Sequence, residues 1–262
     1  MKQIVLRGAL LFAVIQILTT RDSWAQPQST DDDGIKEKLE AFEKGTITLK
    51  ELTEESGNCQ KLIIYYFSNT NVSVKAKLPI GRCFAMAGEY KKAADLAVAY
   101  IQVYSNDWQG WKILGAANLL LGNFSESLAA YTNAVNYGDE NCSVPLAFAA
   151  LKLKRLDIFS NTVPELLILR QKGNSPETKP LDIAFLLAGY SIDTNQKELF
   201  IEALNGITSE QVLSRDDLTC VVKAGCRLFD DVRVNKIFTS LESISENKTN
   251  TTSLKLNSTH QP

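Results

Sequence analysis

Residues 108–141 decide the fold, and they read WQGWKILGAANLLLGNFSESLAAYTNAVNYGDEN. The 34 residues before them, 74–107, read VKAKLPIGRCFAMAGEYKKAADLAVAYIQVYSND. When the two stretches are aligned with a shift of 34 positions, Gly81 falls on Gly115 and apolar or small residues recur around them. Self-similarity at a fixed period of this length is typical of a repeat architecture.

Each unit is predicted to form two helices joined by a tight turn at Gly88 or Gly122, which also align. A glycine there takes the positive φ that ends a helix without steric cost. Gly81 and Gly115 leave room where the first helix of each unit approaches the second. A single unit leaves an apolar face open, so units must stack to bury it.

At these positions the chain resembles the tetratricopeptide repeat family. The better match is in the second unit, at Trp111, Leu114, Gly115, Gly122, Phe124, Leu128, Tyr131 and Ala134. Two departures are Asn118 at a usual aromatic position and Asp139 where a closing proline is common. The resemblance covers two 34-residue units of a 262-residue chain. It implies an all-α protein, a right-handed α-solenoid of helix-turn-helix repeats, and the pattern is expected to continue in decayed form after residue 141.

Two prolines set predicted helix starts. Pro79 lies inside the first helix of its unit, so that helix is expected to start near Lys77. Pro164 is expected to delay a later helix to about Thr162. Other helices are predicted from Ile35 up to Gly45, and over 49–52, 59–67, 215–229 and 231–241, with a break at 193–195.

Residues 1–25 have the pattern of a secretory signal. Lys2 and Arg7 precede the apolar run Ala9–Leu18, and small residues stand just before Gln26. The run is too short to span a hydrocarbon core, which needs about 20 residues. We therefore expect cleavage, no stable membrane insertion afterwards, and a periplasmic or extracellular protein (a secretory-lumen protein if the host is eukaryotic).

The mature chain is predicted to have three parts. Residues 26–34 are a flexible acidic leader, 35–244 are the helical repeat domain, and 245–262 are a disordered tail rich in Asn, Ser and Thr. Glycosylation sequons lie at Asn71, Asn123, Asn141, Asn247, Asn250 and Asn257.

Charge and cysteine content restrict the partners and the compartment. The net charge is −2, and removing residues 1–25, whose net charge is +2, leaves −4, so nucleic acid is not an expected partner. An odd number of cysteines leaves at least one outside any disulfide in a monomer, and most are expected to be buried thiols. On one helix Cys220 and Cys226 are separated by about 9 Å of rise, whereas disulfide Cα atoms lie within about 7 Å, so these two should not bond.

Catalytic and metal-binding patterns are scarce. The only histidine is His260, in the predicted tail, so no folded segment offers an imidazole to a Ser-His or Cys-His site. The acidic pairs Asp216-Asp217 and Asp230-Asp231 are expected to interact with helix starts. The sequence therefore predicts no catalytic residues, no metal site and no cofactor. It indicates that the protein is not an enzyme.

By the same resemblance, the first helices of successive units line a concave groove. Its inward positions are Lys75, Leu78, Arg82, Ala85 and Met86 in the first unit, and Gln109, Lys112, Ala116, Leu119 and Leu120 in the second. An apolar floor with the cations Arg82 and Lys112 suits an extended peptide or a helix with apolar anchors and some acid. Alternatively, terminal helices or a second copy fill the groove. The family's chaperone-tail clamp is not implied, because Leu78 and Arg82 stand at its positions.

Two functions remain open. The first is an extracytoplasmic adaptor that binds a peptide or protein. The alternative is a self-associating solenoid subunit of an envelope or transport assembly. A hydrolytic enzyme that uses a free cysteine or paired carboxylates is a third, less favoured reading.

Overall fold

The computed structural model describes residues 32–139, 141–171 and 180–229, and the single positions 232, 233, 235 and 239. These residues form thirteen helices and no strand, which confirms the all-α prediction. The predicted signal, the predicted disordered tail and most of the last predicted helix lie outside the described residues. Of the predicted flexible leader, residues 32–34 are helical, because the first helix begins at Asp32.

The helices follow one another with short connections. The first seven are α1 Asp32–Glu43, α2 Leu49–Glu54, α3 Asn58–Ser68, α4 Lys77–Met86, α5 Tyr90–Ile101, α6 Trp108–Leu121 and α7 Phe124–Asn136. The next six are α8 Ser143–Lys152, α9 Leu156–Gln171, α10 Pro180–Asp193, α11 Lys197–Leu204, α12 Ser209–Leu213 and α13 Asp216–Leu228. The described chain divides into two compact units between Ile158 and Phe159, near the start of α9.

Two helix pairs, α4–α5 and α6–α7, contain the residues that repeat in the sequence. Each pair is joined at a glycine with positive φ, +84° at Gly88 and +82° at Gly122. In the N-terminal unit α4 contacts both α5 and α6, and α5 contacts α6. Helix α4 therefore packs against its own partner α5 and against α6 of the next pair.

Glycines allow the helices to approach. A Cβ added at Gly81 would lie 3.4 Å from Leu96 Cβ, and one at Gly115 would lie 3.0 Å from the Tyr131 ring. The Ser127 hydroxyl donates to the Gly115 carbonyl at 2.9 Å, which ties the two helices of the second pair together. The predicted role of both glycines is confirmed.

Polar caps begin two helices of the N-terminal unit. Thr48 and Glu51 form a capping box at the start of α2, and the Asp107 carboxylate accepts a hydrogen bond from the Gln109 amide at the start of α6. Such side chains satisfy backbone donors that have no partner within the helix. The Tyr100 hydroxyl also donates to Asp107 at 2.5 Å, so one carboxylate connects α5 to the start of α6.

The predicted effect of Pro164 was wrong. Helix α9 begins at Leu156 and continues through Pro164 to Gln171. The preceding turn has its positive φ at Lys154, +57°, instead of at a glycine. The Thr162 hydroxyl donates to the Phe159 carbonyl at 2.7 Å within this helix.

A disulfide joins Cys59 of α3 to Cys83 of α4, with their Cα atoms 5.0 Å apart. The sequence did not predict this pairing. It leaves Cys142 as a buried thiol, whereas Cys220 is exposed and Cys226 is half-buried. Cys220 and Cys226 both lie on α13 and are not bonded to each other, as predicted.

The C-terminal unit is built around α10, which is apolar on nearly every side. The Phe159 and Tyr190 rings stack with centroids 4.4 Å apart. The Phe200 ring of α11 fills the space beside Gly225 of α13, where a Cβ would lie 2.1 Å from it. This unit therefore uses a glycine for close helix packing as well.

One buried ionic group connects α10 to α13. Arg215 binds Asp217 through two hydrogen bonds, Nε to Oδ1 at 3.1 Å and Nη2 to Oδ2 at 2.7 Å, and its Nη1 donates to Asp182. The Asp217 side chain is 4% exposed. The acidic pair Asp216-Asp217 thus lies in the first turn of α13, as predicted, and Asp217 has a structural partner.

The two repeat glycines should differ in their response to alanine. We expect Gly115→Ala to lower the free energy of unfolding by about 1–3 kcal/mol, because its methyl group meets the buried Tyr131 ring. Gly81→Ala should be near neutral, because its closest contact is longer and alanine favours the helix by about 0.5–1 kcal/mol. Urea unfolding of both variants measures the difference, and equal losses would contradict it.

The disulfide should stabilise the fold chiefly through the unfolded chain. The bond closes a loop with a sequence separation of 24. A loop of this length corresponds to about 3 kcal/mol in the chain-entropy treatment. We expect the variant with Cys59→Ser and Cys83→Ser to lose about this much in chemical unfolding. Cys220→Ser is the matched control at an exposed thiol, and an equal loss there would contradict the prediction.

Candidate functional site

The predicted groove positions on α4 are largely covered by the chain itself. Leu78 and Ala85 are each 1% exposed and belong to the core cluster formed with residues of α1 to α3. Helices α2 and α3 both contact α4. Leu78 and Ala85 were expected to face a ligand. They do not, because the preceding helices bury their apolar side chains instead.

The cations of this row also have partners within the chain. Lys75 Nζ donates to the Glu43 backbone carbonyl at the end of α1 and lies 6.0 Å from the centre of the Phe42 ring. Arg82 Nη2 pairs with Glu54 Oε1 of α2 at 3.0 Å. Both pairs are only partly buried, so each contributes about 1 kcal/mol or less.

Met86 completes the row on α4. Its sulfur lies 3.8 Å from the Cys59 sulfur, beside the disulfide. The five predicted positions on α4 therefore lie together, and α1, α2 and α3 contact all five through named atoms or burial in the shared core.

The predicted row on α6 is more open. Gln109, Ala116 and Leu120 are half-buried, whereas Leu119 is 6% exposed and belongs to the core. Ala116 and Leu120 are four residues apart on α6, so they lie on the same face of the helix. Lys75, Arg82, Met86 and Lys112 are half-buried as well, so of the ten predicted groove positions only Leu78, Ala85 and Leu119 are buried.

Lys112 is held by a buried carboxylate. Its Nζ lies 3.1 Å from Asp139 Oδ2, and the side chains of Lys112 and Asp139 are 32% and 1% exposed. The same oxygen accepts a hydrogen bond from the Cys142 thiol at 2.8 Å, while Asp139 Oδ1 accepts one from the Asn141 amide at 2.9 Å. The Asp139 carboxylate thus connects α6 to the segment that precedes α8.

Tyr131 lies close to this group. Burial, reinforced by the nearby Cys142 and Asp139, raises the pKa of the Tyr131 phenol well above its ordinary value. The phenol therefore stays neutral at physiological pH. Since Asp139 accepts three polar hydrogens and is shielded from solvent, this cluster behaves as a structural support of the second helix pair.

Sequence reasoning missed three features of this region. The Cys59–Cys83 disulfide was not identifiable, because five cysteines allow many pairings. Asp139 was noted only as a departure from a proline position. Gly110 was not singled out, yet a Cβ there would lie 2.7 Å from Ile101, so α5 and α6 approach each other at this glycine. Its alignment with the small residue Ala76 was the available signal.

Other chemistry is sparse in the part of the chain that the structure describes. No group of three or more His, Cys, Asp or Glu side chains there is arranged to hold a metal ion. A shallow depression of about 410 Å³ lies between α1 and α2, lined by Gly34, Glu37, Lys38, Ala41, Ile47, Glu51, Leu52 and Glu55. Among the described helices, none combines the length and apolarity required to cross a bilayer.

Comparison with known proteins adds no assignment. No protein-family model matches the chain, and no curated protein matches it.

Charge reversal should lower the free energy of unfolding more at Lys112 than at Arg82. Lys112→Glu places a second carboxylate next to the buried Asp139 carboxylate. We expect this to lower the free energy of unfolding by at least about 3 kcal/mol. Arg82→Glu removes a partly exposed pair and should cost about 1 kcal/mol or less. Thermal and urea unfolding of the single variants test this. Lys112→Met, which keeps the aliphatic stem, is the second variant if Lys112→Glu does not fold, and equal effects at both positions would contradict the prediction.

Proposed function

We propose that the protein is an exported adaptor of the tetratricopeptide kind, a right-handed α-solenoid that binds a peptide or another protein and catalyses no reaction. One observation carries the proposal. Two helix pairs with a 34-residue sequence period share a positive-φ glycine at the turn and a glycine at the helix crossing. Repeated pairs of this kind present a regular surface, and such surfaces are used for recognition.

Export is supported by two independent features. The first 25 residues have a signal-peptide pattern, with a basic start, an apolar run and small residues before Gln26. The Cys59–Cys83 disulfide belongs to an oxidising compartment such as a periplasm or a secretory lumen.

The binding surface that we propose is smaller than the sequence indicated. Helices α1 to α3 bury Leu78 and Ala85 and contact Lys75, Arg82 and Met86 on α4, so we place the surface at the half-buried Gln109, Ala116 and Leu120 on α6. One amide side chain beside two apolar ones suits a short peptide segment with an apolar anchor. Lys112 contributes a positive potential at this face, although its ammonium is held by Asp139.

A pair of alanine variants tests this surface. Ala116→Arg places a long charged side chain on the proposed face and should abolish co-purification of the native partner from the host. Ala129→Arg on α7 is the matched control, because Ala129 is exposed and belongs to the second helix of the pair. Circular dichroism should show both variants folded. Equal partner recovery with the two variants would refute the α6 surface.

The second candidate function is self-association as a subunit of an envelope or transport assembly. The observation in its favour is a set of large apolar side chains that remain exposed, including Phe67 at 64% and Val103 at 59%. Sedimentation of the purified mature protein over a range of concentrations separates the candidates. A monomer at all concentrations supports the adaptor, whereas concentration-dependent growth supports the assembly subunit.

A further inference from the structure

Four lysines of the described chain place their ammonium groups over aromatic rings. Lys152, the last residue of α8, lies 5.8 Å from the centre of the Phe124 ring and 5.2 Å from that of Phe148. The two rings meet edge to face, with centroids 6.1 Å apart and planes at 73°. Lys152 is thus held in a cradle formed by the start of α7 and the middle of α8.

Three of these lysines also bind an oxygen. Lys75 donates to the Glu43 carbonyl, Lys92 pairs with Glu89 at 3.2 Å, and Lys112 pairs with Asp139 at 3.1 Å. Over the residues that the structure describes, Lys152 has contacts with the two rings and no oxygen partner. Among the described residues it therefore differs from the other three in lacking an oxygen partner.

This arrangement leaves a half-buried cation incompletely compensated. Burial lowers the pKa of Lys152 below its ordinary value, although the end of α8 provides a partial negative charge. Ring faces attract an ammonium, but they replace only part of its hydration. A carboxylate brought to Lys152 Nζ would restore the missing electrostatic partner at a partly desolvated place, where a charge pair is stronger than on an open surface.

The neighbouring residues suit an acidic protein segment. The stretch 152–157 reads KLKRLD, with three cations and one carboxylate. Arg155 is paired with Asp157 at 2.7 Å, and Leu153 is 37% exposed beside the cradle. Local positive charge next to an exposed leucine favours a ligand that carries both carboxylates and an apolar side chain. The net charge of −2 for the whole chain disfavours a long polyanion such as nucleic acid.

We propose that Lys152, cradled by Phe124 and Phe148, anchors a carboxylate of an acidic protein segment whose apolar side chain packs on Leu153. This docking point lies at the end of α8 and does not depend on the α6 surface proposed above. If the Lys152 proposal fails, the proposal of an α6 surface still stands. The Ala116→Arg test likewise does not bear on Lys152.

The probe is a short end-blocked peptide of repeated Glu-Glu-Leu, titrated into the mature protein whose lysines carry ¹³C-dimethyl labels. In the free protein the Lys152 resonance should titrate at a lower pH than those of the exposed lysines. Saturating peptide should raise that pKa towards the ordinary lysine value. A peptide in which Gln replaces each Glu should leave it unchanged.

Two variants complete the test by fluorescence anisotropy with the labelled peptide. Lys152→Met keeps the apolar packing on the rings and should weaken binding by about tenfold or more. Lys92→Met is the matched control, because Lys92 also lies over two rings but has Glu89 as its partner. The Lys92→Met variant should bind the labelled peptide with unchanged affinity.

Three results would overturn the proposal. One is equal affinity for the Glu and Gln peptides, and another is equal loss in the two variants. The third is a rise in the Lys152 pKa that inorganic phosphate produces as fully as the peptide does. That result would indicate a small-anion site. The NMR titration uses the unsubstituted sequence, so it decides the question even if Lys152→Met does not fold.

Discussion

The N-terminal unit depends on how closely its helices can approach one another. Three glycines set this distance: Gly81 between α4 and α5, Gly115 between α6 and α7, and Gly110 between α5 and α6. The first two act within a helix pair, and the third acts between pairs. Because each glycine meets a large buried side chain or a neighbouring helix, the spacing of the glycines in the sequence becomes the spacing of helices in the core.

Close packing leaves an apolar face at the start of the repeated pairs, and α1 to α3 cover it. Leu52 and Leu62 from these helices are almost fully buried in the same core as Leu78 of α4. The Cys59–Cys83 disulfide fastens this cover. Terminal repeats generally need such a cap, since an uncovered end exposes apolar surface to water. The cap also buries Leu78 and Ala85 of the α4 row.

The paired cations also contribute to helix packing. Lys112 and Arg215 neutralise nearly buried carboxylates, so they support the packing of helices within each unit. Among the described residues, Lys152 contacts two rings and neutralises no carboxylate. A cation that has lost water without gaining an anion is a favourable place for an incoming carboxylate. The molecule therefore separates its structural cations from the one that we assign to recognition.

The sequence by itself determined the helical class, the 34-residue period, the turns at Gly88 and Gly122 and most helix positions, because these depend on local spacing and on the backbone freedom of glycine. Only the tertiary structure decided which predicted groove residues stay accessible. Leu78 and Lys112 hold equivalent places in their units, yet Leu78 is buried under α1 to α3 and Lys112 is half-buried. The pairing of Cys59 with Cys83 and of Lys112 with Asp139 likewise joins residues 24 and 27 positions apart. Periodicity describes one helix at a time, whereas burial and charge pairing depend on which distant segment arrives at a face, and the packed chain alone settles that.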